Sequence, residues 1–228
     1  MKTCLVMIHL GLGDLILCNG LIREIKKQND FVFVPIKSHN LFNFKDLFKD
    51  DKQIKPLIAN TDKEAFNYSN GLFDSIIKTG IFCKSKHKIY EDFCEEFYYQ
   101  AKVDYNKRWD NFYYKNNVIK QDELYNKMIT NDEYVFVHQD IERNLIINKT
   151  FSNAVSTNHK FSQESQYSIF DYLKILENAK EIHCIDSSFA CFIDHIESLK
   201  DKPKFIHRYV RKYNENPTYK NNWIIVNE

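Results

Sequence analysis

"LVMIHLGLGDLILCNGLIREI", residues 5–25, reads as a buried strand, a glycine-spaced turn and a helix in direct succession. The run "KTCLVMIH" is nearly all apolar, the pattern of a strand covered on both faces of a parallel sheet. From Asp14 onward Leu15, Leu17, Cys18, Leu21, Ile22 and Ile25 recur at helical spacing, and the polar "KKQND" ends the series. Gly11 and Gly13 permit a tight turn and a close backbone approach. Asp14 stands where strand feeds helix. Two roles for its carboxylate are open. One is the helix N-cap. The other is a general base, which burial in a cleft would make less acidic.

The same rhythm continues on both sides of this stretch. "FVFVPI" (31–36) is a second buried strand, "SHNLFNFKDLF" (38–48) a helix capped by Ser38, and "IKPLIA" and "FDSIIKT" weaker strands. Residues 88–129 change character: "IYEDFCEEFYYQAKVDYNKRWDNFYY" and "VIKQDELYNKMI" read as helices dense in aromatics and charges. The sheet pattern then resumes. "EYVFVHQD" and "EIHCID" are strands, and "SIFDYLKILENAKEI", capped by Ser168, and "SSFACFIDHIESL" are helices. "PKFIHRYV" and "NNWIIVN" are two last strands. The expectation is an α/β chain of two small Rossmann-like halves facing a cleft, 1–120 (with the helical aromatic segment at 88–120) and 121–228.

Composition bounds the function. With 43% hydrophobic and 15% aromatic residues the chain has the means for a core. Thirty-two basic residues against 31 acidic leave a net charge of +1, which argues against a general nucleic-acid binder while allowing a local basic pocket. No apolar run approaches the ~18 residues of a membrane span. The N-terminus lacks a small-residue cleavage site and flows into strand and helix, so it reads as mature structure. The six cysteines are scattered, with no C-x-x-C pair. They read as reduced core residues of a cytoplasmic protein, neither a disulfide frame nor a zinc site.

In an open α/β sheet ligands bind beyond the carboxyl ends of the strands, so the polar residues there carry the functional signal. "HLGLGD" is the first such place. It is not a dinucleotide fingerprint, because the third glycine position is Ile16 and "FVFVPIK" ends without the acid that would hold a ribose. Nor is it a Walker loop, for want of G-K-[ST]. "YVFVHQDIERN" is the second place, with His138, Asp140 and Arg143; an arginine after a buried strand can clamp a diphosphate through paired hydrogen bonds. "IHCIDSSFACF" is the third, where Asp186, Ser187, Ser188 and Phe189 open a helix. Hydroxyls and free N–H groups at a helix start suit an anion, and the same residues also suit ordinary capping. His207, Arg208 and Arg211 follow a late strand, as a base or phosphate pocket or, the reading preferred here, a solvated charged edge.

Taken in order, these segments resemble a glycosyltransferase of the GT-B fold. "LGDLILCNGLIREI" is similar to the opening of bacterial heptosyltransferases, where the L-G-D aspartate is the catalytic base; the resemblance carries that role to Asp14, with Gly13 before it. "AKEIHCIDSSFACFIDHI" is similar to their sugar-nucleotide segment, matched at Asp186 and Ser187, with Ser188 in place of glycine and Cys191 in place of histidine. "VHQDIER" and "DSSF" also resemble diphosphate-binding segments of GT-B fucosyltransferases, with Arg143 three residues later than their motif.

The resemblance implies an acceptor-side N-terminal half and a nucleotide-sugar-binding C-terminal half. It implies inverting transfer from a nucleoside diphosphate sugar to a carbohydrate or glycoconjugate hydroxyl, without metal or other cofactor. Asp14, Arg143 and His138 are then the catalytic candidates. Gly11, Gly13, Asp140, Asp186, Ser187, Ser188, Phe189 and His207 are the binding candidates. Two other readings stand beside it: a non-catalytic nucleotide or phosphate module, and a protein-interaction module built on the aromatic segment 90–114.

Overall fold

The computed structural model describes residues 1–83, 92–158, 166–211 and 217–228. The chain forms two compact units: Met1–Lys115 with Glu215–Thr218, and Asn116–Asn214 with Tyr219–Glu228.

The N-terminal unit is built on four parallel strands, β1 (Thr3–Met7), β2 (Phe31–Ile36), β3 (Ile54–Ile58) and β4 (Ser75–Lys78), in the order β3-β2-β1-β4. β1 is central, which is why Cys4, Leu5, Val6 and Met7 are all fully buried and the strand reads as a continuous apolar run. Its helix begins at Leu12, two residues before Asp14, and breaks at Cys18 into Leu12–Leu17 and Asn19–Lys26. The expected cap at Ser38 is not formed. Residues Ser38–Asn40 make a 3₁₀ turn before the helix Leu41–Leu47, and the Ser38 hydroxyl donates to Asn60 Oδ1 at 2.9 Å.

The long aromatic helix expected over 89–114 is two short helices, Phe93–Gln100 and Lys107–Asp110. Lys102, at φ +57°, takes the left-handed conformation that ends the first. Residues 84–91, including Tyr90, lie outside the described residues. Within this segment Asp92 accepts hydrogen bonds from Cys94 N, the Tyr105 hydroxyl and Thr218 N, and the fully buried Arg108 donates to the Tyr105 hydroxyl. This buried charge network anchors the aromatic helices, whose Phe97 and Tyr98 are buried while Tyr99 stays exposed.

The C-terminal unit has five parallel strands: β5 (Val135–Gln139), β6 (Ala154–Asn158), β7 (Glu181–Cys184), β8 (Lys204–His207) and β9 (Trp223–Val226), in the order β6-β5-β7-β8-β9. β6, "AVSTN", is a strand that the sequence pattern missed: an edge strand with four small or polar residues lacks the apolar run of its neighbours. Ser168 does cap its helix, exchanging hydrogen bonds with Asp171, although the first turn is 3₁₀ (Ile169–Tyr172) before α-helix Leu173–Asn178. Phe189, Ala190, Phe192 and Ile193 of the helix Ser188–Ile193 are buried, with Phe189 packed on Phe136 and His138 of β5.

All six cysteines are unbridged and all but Cys83 are buried. No described helix is long and apolar enough to cross a membrane. Two parallel sheets with flanking helices make this an α/β protein of two Rossmann-like units.

Candidate functional site

In the N-terminal unit the loops after β1, β2 and β4 meet at one end of the sheet. Asn40, just beyond β2, donates to Leu10 O at 3.2 Å, and Thr79, just beyond β4, donates its hydroxyl to Met7 O at 3.1 Å. Asp14 is not the N-cap. Gly11 holds that position in extended conformation (φ −75°, ψ 148°), and Asp14 lies three residues on, in the first helical turn, where the helix dipole favours a carboxylate. A Cβ on Gly11 would come 2.4 Å from Asp14 Oδ2 and turn that carboxylate aside. Gly13 lies inside that first turn. The Asp14 side chain keeps 21% exposure, so it is open to a substrate hydroxyl.

Sequence reading missed His9. Its Nδ1 lies 3.8 Å from Asp14 Oδ1, and its Nε2 accepts the Ile81 backbone N–H at 3.1 Å. The ring packs edge-on against Phe97, with centroids 4.8 Å apart. Gly80 delivers Ile81 to the ring. It adopts φ +55°, and a Cβ on it would lie 2.3 Å from His9 Nε2. The signal for His9 was a histidine closing the apolar run "KTCLVMIH", as His138 closes "YVFVH"; in the structure His9 lies two residues beyond β1 and His138 within β5.

In the C-terminal unit three strand ends carry the charges. Asp140 terminates β5 and organises a turn, accepting from Arg143 N at 3.1 Å and pairing with Arg143 Nε, while Asn144 takes φ +54° and Leu145 bridges back to Asp140. Asp186, just beyond β7, is 3% exposed. Its Oδ1 accepts from the Tyr219 hydroxyl at 2.9 Å and its Oδ2 lies 3.5 Å from Arg208 Nε. Arg211 Nη1 donates to the Asp186 carbonyl at 3.1 Å. Burial raises the Asp186 pKa, opposed by Tyr219 and by Arg208 and Arg211. Arg211 is in turn lowered by burial and by the charge of Arg143, and supported by Asp186 and Asp140. Asp140, Arg143, Asp186, Arg208 and Arg211 therefore form one electrostatic group.

This corrects the reading of Arg208 and Arg211 as a solvated edge. Both are drawn onto Asp186, because β8 lies next to β7 and ends beside it. Ser187 and Ser188 follow Asp186 directly. Ser187 is at the N-cap position but makes no side-chain cap, and neither buried hydroxyl has a hydrogen-bond partner among the described residues.

His138, Phe189 and His207 are placed differently. Phe189 is fully buried and His138 only 1% exposed; their rings pack on each other with centroids 4.5 Å apart, as part of the core. His207 is buried as well, with its Nε2 2.9 Å from His183 Nδ1, and His183 Nε2 lies 3.2 Å from Glu181 Oε2. Glu181 only accepts, so His183 carries its proton on Nε2 and His207 donates to His183. Both imidazoles are then neutral. Burial lowers the His183 pKa and pushes that of His207 down to about 4, with His183 and Lys149 adding to the second.

The sign follows. Below the ordinary histidine pKa of about 6.5 the unfolded chain takes up protons that the native pair refuses, so stability falls as pH drops from there toward 4. Denaturant unfolding at pH 5 should give a stability lower than at pH 7 by about 1 kcal/mol from this pair, after a discount for solvent at Glu181. His207→Gln should flatten that slope; an unchanged slope would remove the pair as its source.

No protein-family model and no curated protein matches the sequence. Solved structures do match in fold. A glycosyl transferase of family 9 from Veillonella parvula DSM 2008 superposes with a TM-score of 0.57 at 9% identity, over 99% of this chain and 86% of that one. The E. coli ADP-heptose LPS heptosyltransferase II gives a TM-score of 0.56 at 9% identity, over 99% of this chain and 90% of that one. The fold is thus the GT-B-like fold of these glycosyltransferases, as the order of the strand-end segments implied.

Proposed function

We propose that the protein is a glycosyltransferase that moves a sugar from a nucleoside diphosphate sugar to an acceptor hydroxyl, with inversion. The observation that carries the reading is the group at the strand ends of the C-terminal unit. Arg208 and Arg211 gather on buried Asp186, the charges of Asp140 and its partner Arg143 reach Arg211, and two buried hydroxyls, of Ser187 and Ser188, lack partners among the described residues. Arginine forks and hydroxyl donors suit a diphosphate. As the sugar leaves, negative charge grows on the phosphate oxygens, and fixed cations stabilise it where it develops. Asp14, on the N-terminal unit, is the base. The acceptor oxygen bonds to the anomeric carbon, the bond from that carbon to the diphosphate breaks with its electron pair going to phosphate, and the acceptor proton passes to Asp14. The arginines supply the countercharge without a metal ion. The GT-B-like fold supports the reading at the level of reaction class.

The test is release of nucleoside diphosphate from sugar conjugates of uridine, guanosine, adenosine and cytidine, with and without a pool of glycan acceptors. Acceptor-dependent release from one conjugate is the expected result. Binding of a diphosphate with no release under any acceptor would instead favour the non-catalytic module. Arg211→Gln should weaken diphosphate binding about 10–100-fold by titration calorimetry, the cost of one charge-assisted contact. Unchanged affinity would take Arg211 out of the site.

A further inference from the structure

We infer that His9 is a positioning residue for the base: a neutral imidazole locked in the Nδ1–H tautomer, which aims Asp14 at the acceptor. The inference rests on the proposed transferase reading for the reaction, but the pairing itself stands on geometry within one unit.

The tautomer follows from the backbone. An amide N–H can only donate, so the Ile81 N–H at 3.1 Å makes Nε2 the acceptor and leaves the ring proton on Nδ1. Nδ1 is the atom that faces Asp14 Oδ1, 3.8 Å away. The second oxygen, Oδ2, lies over Gly11, where a side chain would displace it. At 3.8 Å the Nδ1–H is a charge–dipole neighbour of Oδ1 and not a hydrogen bond to it, with its positive end turned to the carboxylate. His9 itself cannot act as the base while it holds Ile81, since neither nitrogen is left to accept a proton.

The support is built in from three further places. Left-handed Gly80 turns Ile81 into reach. Gly80 N donates to Gln100 Oε1 at 2.6 Å, which ties that turn to the helix Phe93–Gln100. From the same helix Phe97 packs against the imidazole edge-on. A histidine kept only to cap Ile81 would need no carboxylate opposite its other nitrogen. One kept only to pair with Asp14 would need no left-handed glycine at Gly80.

In the transfer step Asp14 takes the acceptor proton, and the Nδ1–H dipole of His9, 3.8 Å from Oδ1, holds the carboxylate in its orientation until then. His9→Phe keeps a ring against Phe97 and removes both the acceptor for Ile81 N–H and the N–H dipole facing Asp14. His9→Asn returns an N–H toward Asp14 and leaves Ile81 without its acceptor. The expected result is a kcat lower by about tenfold or more in His9→Phe with donor KM unchanged, and recovery of most of that loss in His9→Asn. Equal losses in the two variants would overturn the inference in favour of a structural cap on Ile81. ¹⁵N–¹H correlation spectra of the ligand-free wild type supply an independent readout. They should show His9 protonated on Nδ1 and not Nε2, with the Nδ1 resonance shifting in Asp14→Asn. An Nε2-protonated ring would overturn the pairing whatever the activity. A wild type that shows this tautomer but transfers no sugar would refute the reaction and leave the pairing in place.

Discussion

Asp14→Asn is expected to lower transfer by about 10²–10⁴-fold while donor affinity stays within about twofold of wild type, the range by which a positioned general base accelerates proton transfer. The substitution nearly conserves shape. The amide fits where the carboxylate lies over Gly11 and removes only the capacity to take a proton. The cost to the fold is small, because Asp14 is not the N-cap and its favourable place in the first helical turn contributes about 0.3–1 kcal/mol. Donor affinity is the informative control. On this account the diphosphate is held by the C-terminal unit, which Asp14 does not belong to. A loss of donor affinity as large as the loss of rate would place Asp14 in the binding site or the fold and would end its assignment as base.

Lys204→Met is expected to destabilise the C-terminal unit by about 2–4 kcal/mol, the scale for leaving buried polar groups without partners. Lys204 lies in β8 and is fully buried. Its ammonium donates to three carbonyls, Leu199 O at 2.5 Å, Lys200 O at 2.8 Å and Lys202 O at 3.0 Å. These carbonyls lie in and just after the 3₁₀ turn Glu197–Leu199, and Leu199 O also accepts the Lys202 N–H at 3.2 Å. Burial lowers the lysine's pKa, opposed by the charges of Asp194 and Asp201. Methionine restores the volume but none of the three donors. Because β8 also carries the chain to Arg208 and Arg211, the same variant should weaken diphosphate binding through the fold, whereas Arg211→Gln should weaken it without shifting the melting temperature. A Lys204→Met protein as stable as wild type by denaturant titration would show that water replaces the ammonium at those carbonyls.

The fold was legible in the sequence where a residue's surroundings are uniform. β1, β2 and β5 are flanked by partners on both sides in their sheets and read as buried, largely apolar strands. The edge strand β6 escaped because "AVSTN" carries only one large apolar residue, Val155. The break at Cys18 and the left-handed Lys102 escaped because neither residue type marks a helix end. The site divides in a similar way. Asp14, Arg143 and Asp186 were found by a rule of position, since each follows a strand. Arg208 and Arg211 also follow a strand, but that β8 ends beside Asp186 is a fact of strand order and not of local pattern. His9 escaped because its meaning depends on a residue 72 positions away, Ile81. His138 and Phe189 look functional in sequence because strand ends and helix starts are where sites lie, yet the same positions also supply the core, and these two rings fill it.

The central claim is that the C-terminal strand ends hold the diphosphate of a sugar nucleotide. It is tested most directly by the melting temperature of the purified protein with UDP, GDP, ADP and CMP and their sugar conjugates, without added metal. A ligand that binds only the native state raises its stability by about 2.7 kcal/mol at a hundredfold excess over Kd. The account predicts that one diphosphate and its sugar conjugate raise the melting temperature clearly, that CMP does so less, and that Arg211→Gln loses most of the shift. No shift with any of them at millimolar concentration, or an equal shift in Arg211→Gln, would contradict it.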